Sequence, residues 1–316
     1  MRDLDASIIL PCYNRARLLP LSLASLRNQS FYEKDYEVLV VDDGSTDNTA
    51  SVVRSSQWTQ CRYLRKLNGG AASARNYGLK YARGRVIIYS DPDMVVCPDF
   101  VRNHVRHHAD GTSNVVIGGK REVLAHLPWW MPGRPGIALL RQLHASAPHV
   151  CRKVISWMFS WNKTRRVLRE RHLRHAFHLV DDYSLPFPIP EPPMLLHTLA
   201  IPWVFLLSGN FSAPAETLQQ TGGFDETFCG WGLEDVELGY RLHKHGVRFI
   251  YEPAALSYHQ VHGVATRRNE ASIVNNLRHF TTKHPCREVE LHGDYIRGKM
   301  TLEEYDRIVR EHRAIS

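Results

Sequence analysis

Short apolar runs separated by polar clusters dominate the first 120 residues of the chain. Ser7-Ile8-Ile9-Leu10 is a β-rich run stopped by Pro11, and Val38-Leu39-Val40-Val41 ends in the turn signature Asp42-Asp43-Gly44-Ser45. Tyr63-Leu64 marks a weaker third strand, and Val86-Ile87-Ile88-Tyr89, preceded by Gly84, predicts a fourth. Between these runs the period changes. Leu18, Leu19, Leu23 and Leu26 recur at helical spacing, a second helix is expected from Thr46 or Asp47, and Gly69-Gly70 opens a third through Leu79. Strands alternating with helices in this way predict crossover units and a parallel sheet.

From about residue 120 the alternation stops, and residues 128 to 205 are rich in Trp, Pro, Arg and His. Between Cys151 and Val180 eight basic residues face the single acid Glu170, while Val154, Trp157, Met158 and Trp161 share a helical face. Such a basic amphipathic segment either packs its aromatic face on the core or meets lipid headgroups or an anionic acceptor. Order returns at Leu206-Leu207-Ser208-Gly209-Asn210-Phe211-Ser212. Then come Gly222-Gly223-Phe224-Asp225-Glu226 and Gly230-Trp231-Gly232-Leu233-Glu234-Asp235, whose acids start a helix expected to stop at Gly246. Val247 to Tyr251 predicts another strand, followed by Tyr258-His259-Gln260-Val261-His262, and Thr301 with Glu304 forms a capping box for a last helix. The pattern divides the chain at 1–120, 121–205, 206–265 and 266–316, and no internal repeat is found.

Composition narrows the class. With 43% hydrophobic and 23% charged residues the chain reads as a soluble globular protein. The longest apolar run, Ile201 to Leu207, falls far short of the roughly 20 residues that span a bilayer. Met1-Arg2-Asp3-Leu4-Asp5 leads straight into the first strand, so a cytoplasmic location without a signal peptide is expected. Contact with the inner face of the membrane through residues 150–180 is the one addition to that expectation. The six cysteines are scattered with no C-x-x-C pair, which argues for reduced structural thiols and against zinc. A formal net charge of +8 suits an anionic partner.

In parallel sheets, ligands sit outside the carboxyl ends of the strands. Pro11-Cys12-Tyr13-Asn14, Asp42-Asp43 and Asp91-Pro92-Asp93 all fall there, which predicts a nucleotide crevice. Residues i and i+2 beyond a strand point the same way, so Asp91 and Asp93 could converge on Mg²⁺ or Mn²⁺ shared with substrate phosphates. Taken alone, the Asp-x-Asp corner is equally a solvated turn. The GxGxxG fingerprint and the P-loop are both absent, which argues against a dehydrogenase or an NTPase and leaves phosphates to a metal and nearby cations.

Taken in order over roughly residues 6 to 260, these pieces resemble the family 2 nucleotide-sugar glycosyltransferases of GT-A fold. The Gly-Trp-Gly-x-Glu-Asp element is similar to the galactosyl- and N-acetylgalactosaminyl-transferring branches. The resemblance implies an α/β fold with a mixed, mainly parallel sheet flanked by helices, a helical acceptor-side insertion and C-terminal helices. It implies a metal-dependent inverting transfer of a hexose or N-acetylhexosamine from a UDP-sugar. Pro11, Tyr13, Asn14 and Asp43 would meet the nucleoside, Arg75 the diphosphate edge, and Trp231 the donor sugar. Asp91 would bind ribose or metal, Asp93 the metal directly, and His259 would complete the Mn²⁺ or Mg²⁺ site, with His262 as the alternative. Asp235 is the candidate base, since an inverting transfer needs one on the far side of the sugar, and Glu234 would hold hydroxyls. Either acid could instead simply cap its helix. About 130 residues separate Asp93 from Gly223, longer than the family's usual spacing, and acceptor specificity is expected in that stretch. A nucleotidyltransferase would need a Gly- and Lys/Arg-rich phosphate loop where Pro11-Cys12-Tyr13-Asn14 stands. A non-enzymatic membrane-surface module would rest on residues 150–180. No aromatic-basic RNA signature appears, so no nucleic-acid partner is expected.

Overall fold

The computed structural model describes residues 4–32, 35–109, 112–128, 133–147, 178–186, 191–262 and 266–315, with isolated positions between 151 and 173. Its frame is a 9-stranded sheet. Strands β1 (Leu4–Cys12), β2 (Tyr36–Asp42), β3 (Cys61–Arg65) and β4 (Gly84–Ser90) run parallel in the spatial order β3-β2-β1-β4. The rest of the sheet is mixed. It uses β5 (Met94–Val96) and β6 (Asn114–Val123), and a separate two-stranded pair follows, β7 (His126–Pro128) with β8 (Thr164–Arg166). After β9 (Ser184–Pro186), which pairs with β6, come β10 (Asn210–Pro214) and β11 (Arg248–Gln260), giving the order β4-β10-β6-β11-β5. β10 is antiparallel to both neighbours, while β11 is parallel to β6. The sheet is flanked by helices, as the sequence pattern predicts for an α/β fold.

The near-continuous apolar runs have a simple cause: this sheet is buried on both faces. Ile8, Leu10, Val38, Val40, Val86 and Ile88 join the Leu19–Arg27 helix in one core cluster. Their alternating neighbours Ile9, Leu39, Val41, Ile87 and Tyr89 turn to the other face, against the Gly70–Tyr81 helix. That helix sits close because residue 78 is glycine; a Cβ there would lie 2.5 Å from Ile9 Cγ2. The second helix begins at Thr49, later than expected, because Asp47 stays in the loop and accepts from Thr49 N at 2.9 Å and Ala16 N at 3.0 Å. The expected break near residue 120 falls inside β6, and β11 continues to Gln260, well past Tyr251. Most of the basic segment at 150–180 lies outside the described residues. No helix among the described residues is long and apolar enough to cross a membrane.

The C-terminal helices Thr266–Lys283, Arg287–Ile296 and Leu302–Ile315 pack on the same core as β1 and β4. Trp203, fully buried, is their hub, with ring contacts to Tyr240, Phe280, His292 and Tyr305. The capping box forms in both directions: Thr301 N donates to Glu304 Oε2 at 2.8 Å, and Glu304 N to Thr301 Oγ1 at 3.2 Å. Trp203→Ala should therefore destabilise the chain by about 3–5 kcal/mol in denaturant unfolding, and a loss below about 1 kcal/mol would show that the hub collapses around the hole.

Three buried histidines make the fold acid-sensitive. Burial lowers His104 from 6.5 to about 3, and lowers His108 and His292 to about 4. The unfolded chain takes up these protons first, so their contribution is complete above pH 6.5 and is lost as pH falls from there toward 4. Each contributes a slope of about 1.4 kcal/mol per pH unit in that window. The unfolding midpoint should fall between pH 6.5 and 5, above the range where ordinary carboxylates titrate. Equal midpoints at the two values would contradict it.

Candidate active site

The Asp91-Pro92-Asp93 corner leaves the carboxyl end of β4, at the sheet's ligand edge. Asp93 is buried, and its Oδ2 lies 3.0 Å from His262 Nε2, 3.8 Å from His259 Nε2 and 3.9 Å from Arg15 Nε. Its other oxygen, Oδ1, is buried with no hydrogen-bond partner among the described residues. Burial favours the neutral acid, but the His262 hydrogen bond and the charges of His259, His262 and Arg15 prevail and hold the carboxyl below its usual range. Burial likewise lowers His259, and His262 adds to that against the pull of Asp93. A neutral imidazole is the ligating form. Asp93, His259 and His262 offer three ligand atoms within 4.8 Å of one another, and a buried, unpartnered carboxylate oxygen beside them fits a divalent cation. Both candidate histidines thus reach the corner, and His262 stands nearer than the expected His259.

Asp91 turns elsewhere. Its Oδ1 accepts from Arg75 at 3.3 Å, and the other arm of Arg75 donates to Glu234 Oε1 at 3.0 Å. Arg75 is buried over the Phe224 ring at 5.1 Å. It is aimed by its neighbour Asn76, which donates to the Phe224 carbonyl and accepts from Phe224 N, both at 2.8 Å. Burial, then the Asp235 charge, raise the Glu234 carboxyl above its usual range, opposed by Arg75. Glu234 and Asp235 open the Glu234–Lys244 helix after Leu233, which is held at φ 73. A left-handed leucine is strained backbone, of the kind that persists where the surroundings enforce it. Asp235 Oδ1 accepts from Val236 N at 2.9 Å, so it does serve its helix. Its Oδ2 faces the loop after residue 207, where Ser208 donates through N at 3.1 Å and Oγ at 3.3 Å.

The other rim clusters hold loops in place. Asn14, at φ 53, accepts through Oδ1 from Thr46 N at 2.8 Å and Asp47 N at 3.2 Å, tying the first loop to the second. Asp43 accepts from Lys66 Nζ and Gly70 N at 2.8 Å, Gly69 N at 2.9 Å and Asn68 Nδ2 at 3.1 Å. Both its oxygens are engaged, so a base contact there would share them. Pro11 does not stop β1 as expected but pairs within it opposite Val41, and Tyr13, just past the strand's end at Cys12, is 48% exposed, a ring open to a planar ligand. Trp231 is 57% exposed between Gly230 and Gly232, whose positive φ values only glycine adopts at ease.

A family model described as glycosyl transferase family 2 matches residues 7–178, more than half the chain, and one described as the N-terminal domain of galactosyltransferase matches residues 199–269. The chain belongs to glycosyltransferase family 2. Validoxylamine A glucosyltransferase of Streptomyces hygroscopicus subsp. jinggangensis is 31% identical over 288 residues, covering 90% of this chain and 62% of that protein. The chain thus spans less than two thirds of that relative's length. Residues 1–349 of S. aureus TarS in complex with UDP superpose with a TM-score of 0.54 at 19% identity, over 88% of this chain and 65% of that one. A mannosyltransferase from Pyrobaculum calidifontis, in complex with GDP-Man and Mn²⁺, does so at 0.52 and 18% identity, over 96% and 68%. These likenesses place the fold as GT-A.

In this family 2 chain the motif residues gather at one rim, but motif reading passes over several neighbours. Arg15 and His262 flank Asp93, and Ser208 holds Asp235. Lys120, at the end of β6, lies in the field of Asp91, Asp235 and Asp93.

Proposed function

We propose that this chain transfers a hexose or N-acetylhexosamine from a UDP-sugar to an acceptor with inversion, and that it requires Mn²⁺ or Mg²⁺. The observation that carries the reading is the convergence of Asp93, His259 and His262, including a buried oxygen without a partner, beside an arginine gripping Asp91 and Glu234. Asp93 with His259 and His262 would hold the cation, with Asp91 adjoining. When bound, it supplies Lewis-acid stabilisation of charge on the departing diphosphate. Arg75 orients Asp91 and Glu234 around the donor, and Glu234 accepts from sugar or acceptor hydroxyls. Tyr13 and Pro11 offer the nucleoside an apolar surface, and Asn14 and Asp43 keep that surface in shape. Asp235 takes the acceptor's proton as the acceptor oxygen bonds to the anomeric carbon and UDP leaves.

The UDP bound to the TarS fragment and the match to the galactosyltransferase domain support a uridine donor of this class. Family membership, and Pro11-Cys12-Tyr13-Asn14 in place of a phosphate loop, weigh against a nucleotidyltransferase. The acceptor is left open by this reading, and residues 121–205 are where its selection is proposed to lie. Incubation with Mn²⁺ and a panel of UDP-sugars, following UDP release without acceptor, tests the donor. The absence of both UDP release from every UDP-sugar and Mn²⁺-dependent UDP binding would sink the reading.

A further inference from the structure

The tripeptide Gly118-Gly119-Lys120 on β6 is the most heavily braced piece of backbone at this rim. Glu252 pairs with Gly118 and Ser257 with Lys120, so residues 253–256 of β11 bulge out opposite Gly119 alone. A bulge of this kind re-aims the side chains around it. The glycines are required: a Cβ at 118 would overlap the Ala255 carbonyl and the Asn210 amide, and one at 119 would lie 2.7 Å from Pro253 O. Asn210 clamps the result: its Nδ2 donates to Gly119 O at 2.8 Å and Ala255 O at 2.9 Å, and lies 3.0 Å from Ser257 Oγ. Its Oδ1 bonds His104 Nε2 at 2.9 Å. Ser212 Oγ bonds His104 Nδ1 at 3.0 Å and His108 Nε2 at 2.9 Å. With both imidazoles neutral, one arrangement satisfies the set: His104 donates to Asn210, Ser212 to His104, and His108 to Ser212.

What this bracing delivers is Lys120. A Cβ built on Gly209 would lie 2.6 Å from Asp91 Oδ2 and 3.1 Å from Lys120 Nζ, so both groups meet over the same bare Cα. The preceding residue, Ser208, holds Asp235 by two hydrogen bonds, and the following one, Asn210, holds the carbonyl before Lys120. Three consecutive residues thus set Asp235, Asp91 and Lys120 together. Burial disfavours the ammonium, and the charges of Asp91, Asp235 and Asp93 oppose that.

We propose that Lys120 is a positioning residue of the transfer site, its ammonium linking the donor-side carboxylate of Asp91 to the acceptor-side carboxylate of Asp235. The inference rests on the UDP-sugar transferase reading above. Four acids crowd this rim, and cations stand among them: Arg75 bonds both Asp91 and Glu234, and the Lys120 ammonium meets Asp91 over Gly209, within the field of Asp235. Without Lys120, Asp91 and Asp235 repel across the space that the donor sugar must enter.

The test uses the full chain with Mn²⁺ and whichever UDP-sugar the wild type turns over. Lys120→Met should lower kcat by about 100-fold, as a misplaced catalytic group does, with donor KM and Mn²⁺-dependent UDP affinity within about threefold of wild type. Lys120→Arg should recover at least about tenfold of that loss, because it restores the positive charge between the acids. A kcat for Lys120→Met within about threefold of wild type overturns the proposal. A loss that falls on UDP affinity also overturns it, making Lys120 a diphosphate contact, and so does a loss shared equally by the Met and Arg variants. If the Met variant does not fold, Lys120→Gln is judged by the same outcomes. A wild-type chain that binds no UDP and turns over no UDP-sugar removes the transferase reading itself, before any Lys120 variant is compared.

Discussion

Asp235→Asn is expected to lower the rate of sugar transfer by about 10³-fold while leaving Mn²⁺-dependent UDP binding within about threefold of wild type. The substitution is nearly isosteric, and the amide oxygen can still accept from Ser208 N and Oγ, the bonds that hold the Asp235 carboxylate at 3.1 and 3.3 Å. What it removes is the ability to accept the acceptor's proton. Donor binding is kept because Arg75, Asp91 and the Asp93 cluster are untouched. The measurement is a steady-state assay of product formation beside calorimetric titration of UDP. If transfer stays within about tenfold of wild type, Asp235 acts as a helix-capping acid and the base lies elsewhere. The Val236 N bond to its Oδ1 already gives it part of that capping role.

Asp93→Ala should behave differently, losing metal and chemistry together. Among the described residues Asp93 is the carboxylate that pairs with both His259 and His262, and alanine there removes that shared anionic centre. Mn²⁺ affinity is expected to fall by about 100-fold or more, a loss at least as large as the removal of a group supporting a metal ligand. UDP binding should then become independent of Mn²⁺, and transfer should vanish. Titration of Mn²⁺ into the variant reads this without any assay of activity. An unchanged affinity would move the metal away from this corner. The two variants separate the roles: one keeps the donor and loses the reaction, the other loses both.

The parallel half of the sheet was legible because burial on two faces turns each strand into a run of apolar residues that no helix period fits, as in Val38 to Val41 and Val86 to Tyr89. The later strands were harder to read. β10 is Asn210-Phe211-Ser212-Ala213-Pro214, in which Asn210 and Ser212 serve a buried hydrogen-bonded chain with His104, so it lacks the continuous apolar run that marks the earlier strands. The break expected near residue 120 falls inside β6, whose two glycines are what the opposing bulge requires. At the site, the carboxylates announced themselves by spacing, and the ring of motifs named their companions. Choosing between His259 and His262 needed the path of the chain beyond β11. Lys120 was invisible because its meaning comes only from what surrounds it.

The pairings at the rim also set an order of events on folding. Asp93 meets His262 across 169 residues and Arg75 meets Glu234 across 159. β4, which carries the Asp91-Pro92-Asp93 corner, has β1 on one side and waits for β10 on the other. A chain emerging from the ribosome therefore exposes an unpaired β4 edge until more than a hundred further residues have been made, and long-range closures of this kind are slow. C-terminal truncation before residue 210 should yield an aggregating fragment with an open sheet edge. The rim pairings can form only after residue 262 has been made, so their closure reports tertiary folding more directly than secondary structure does.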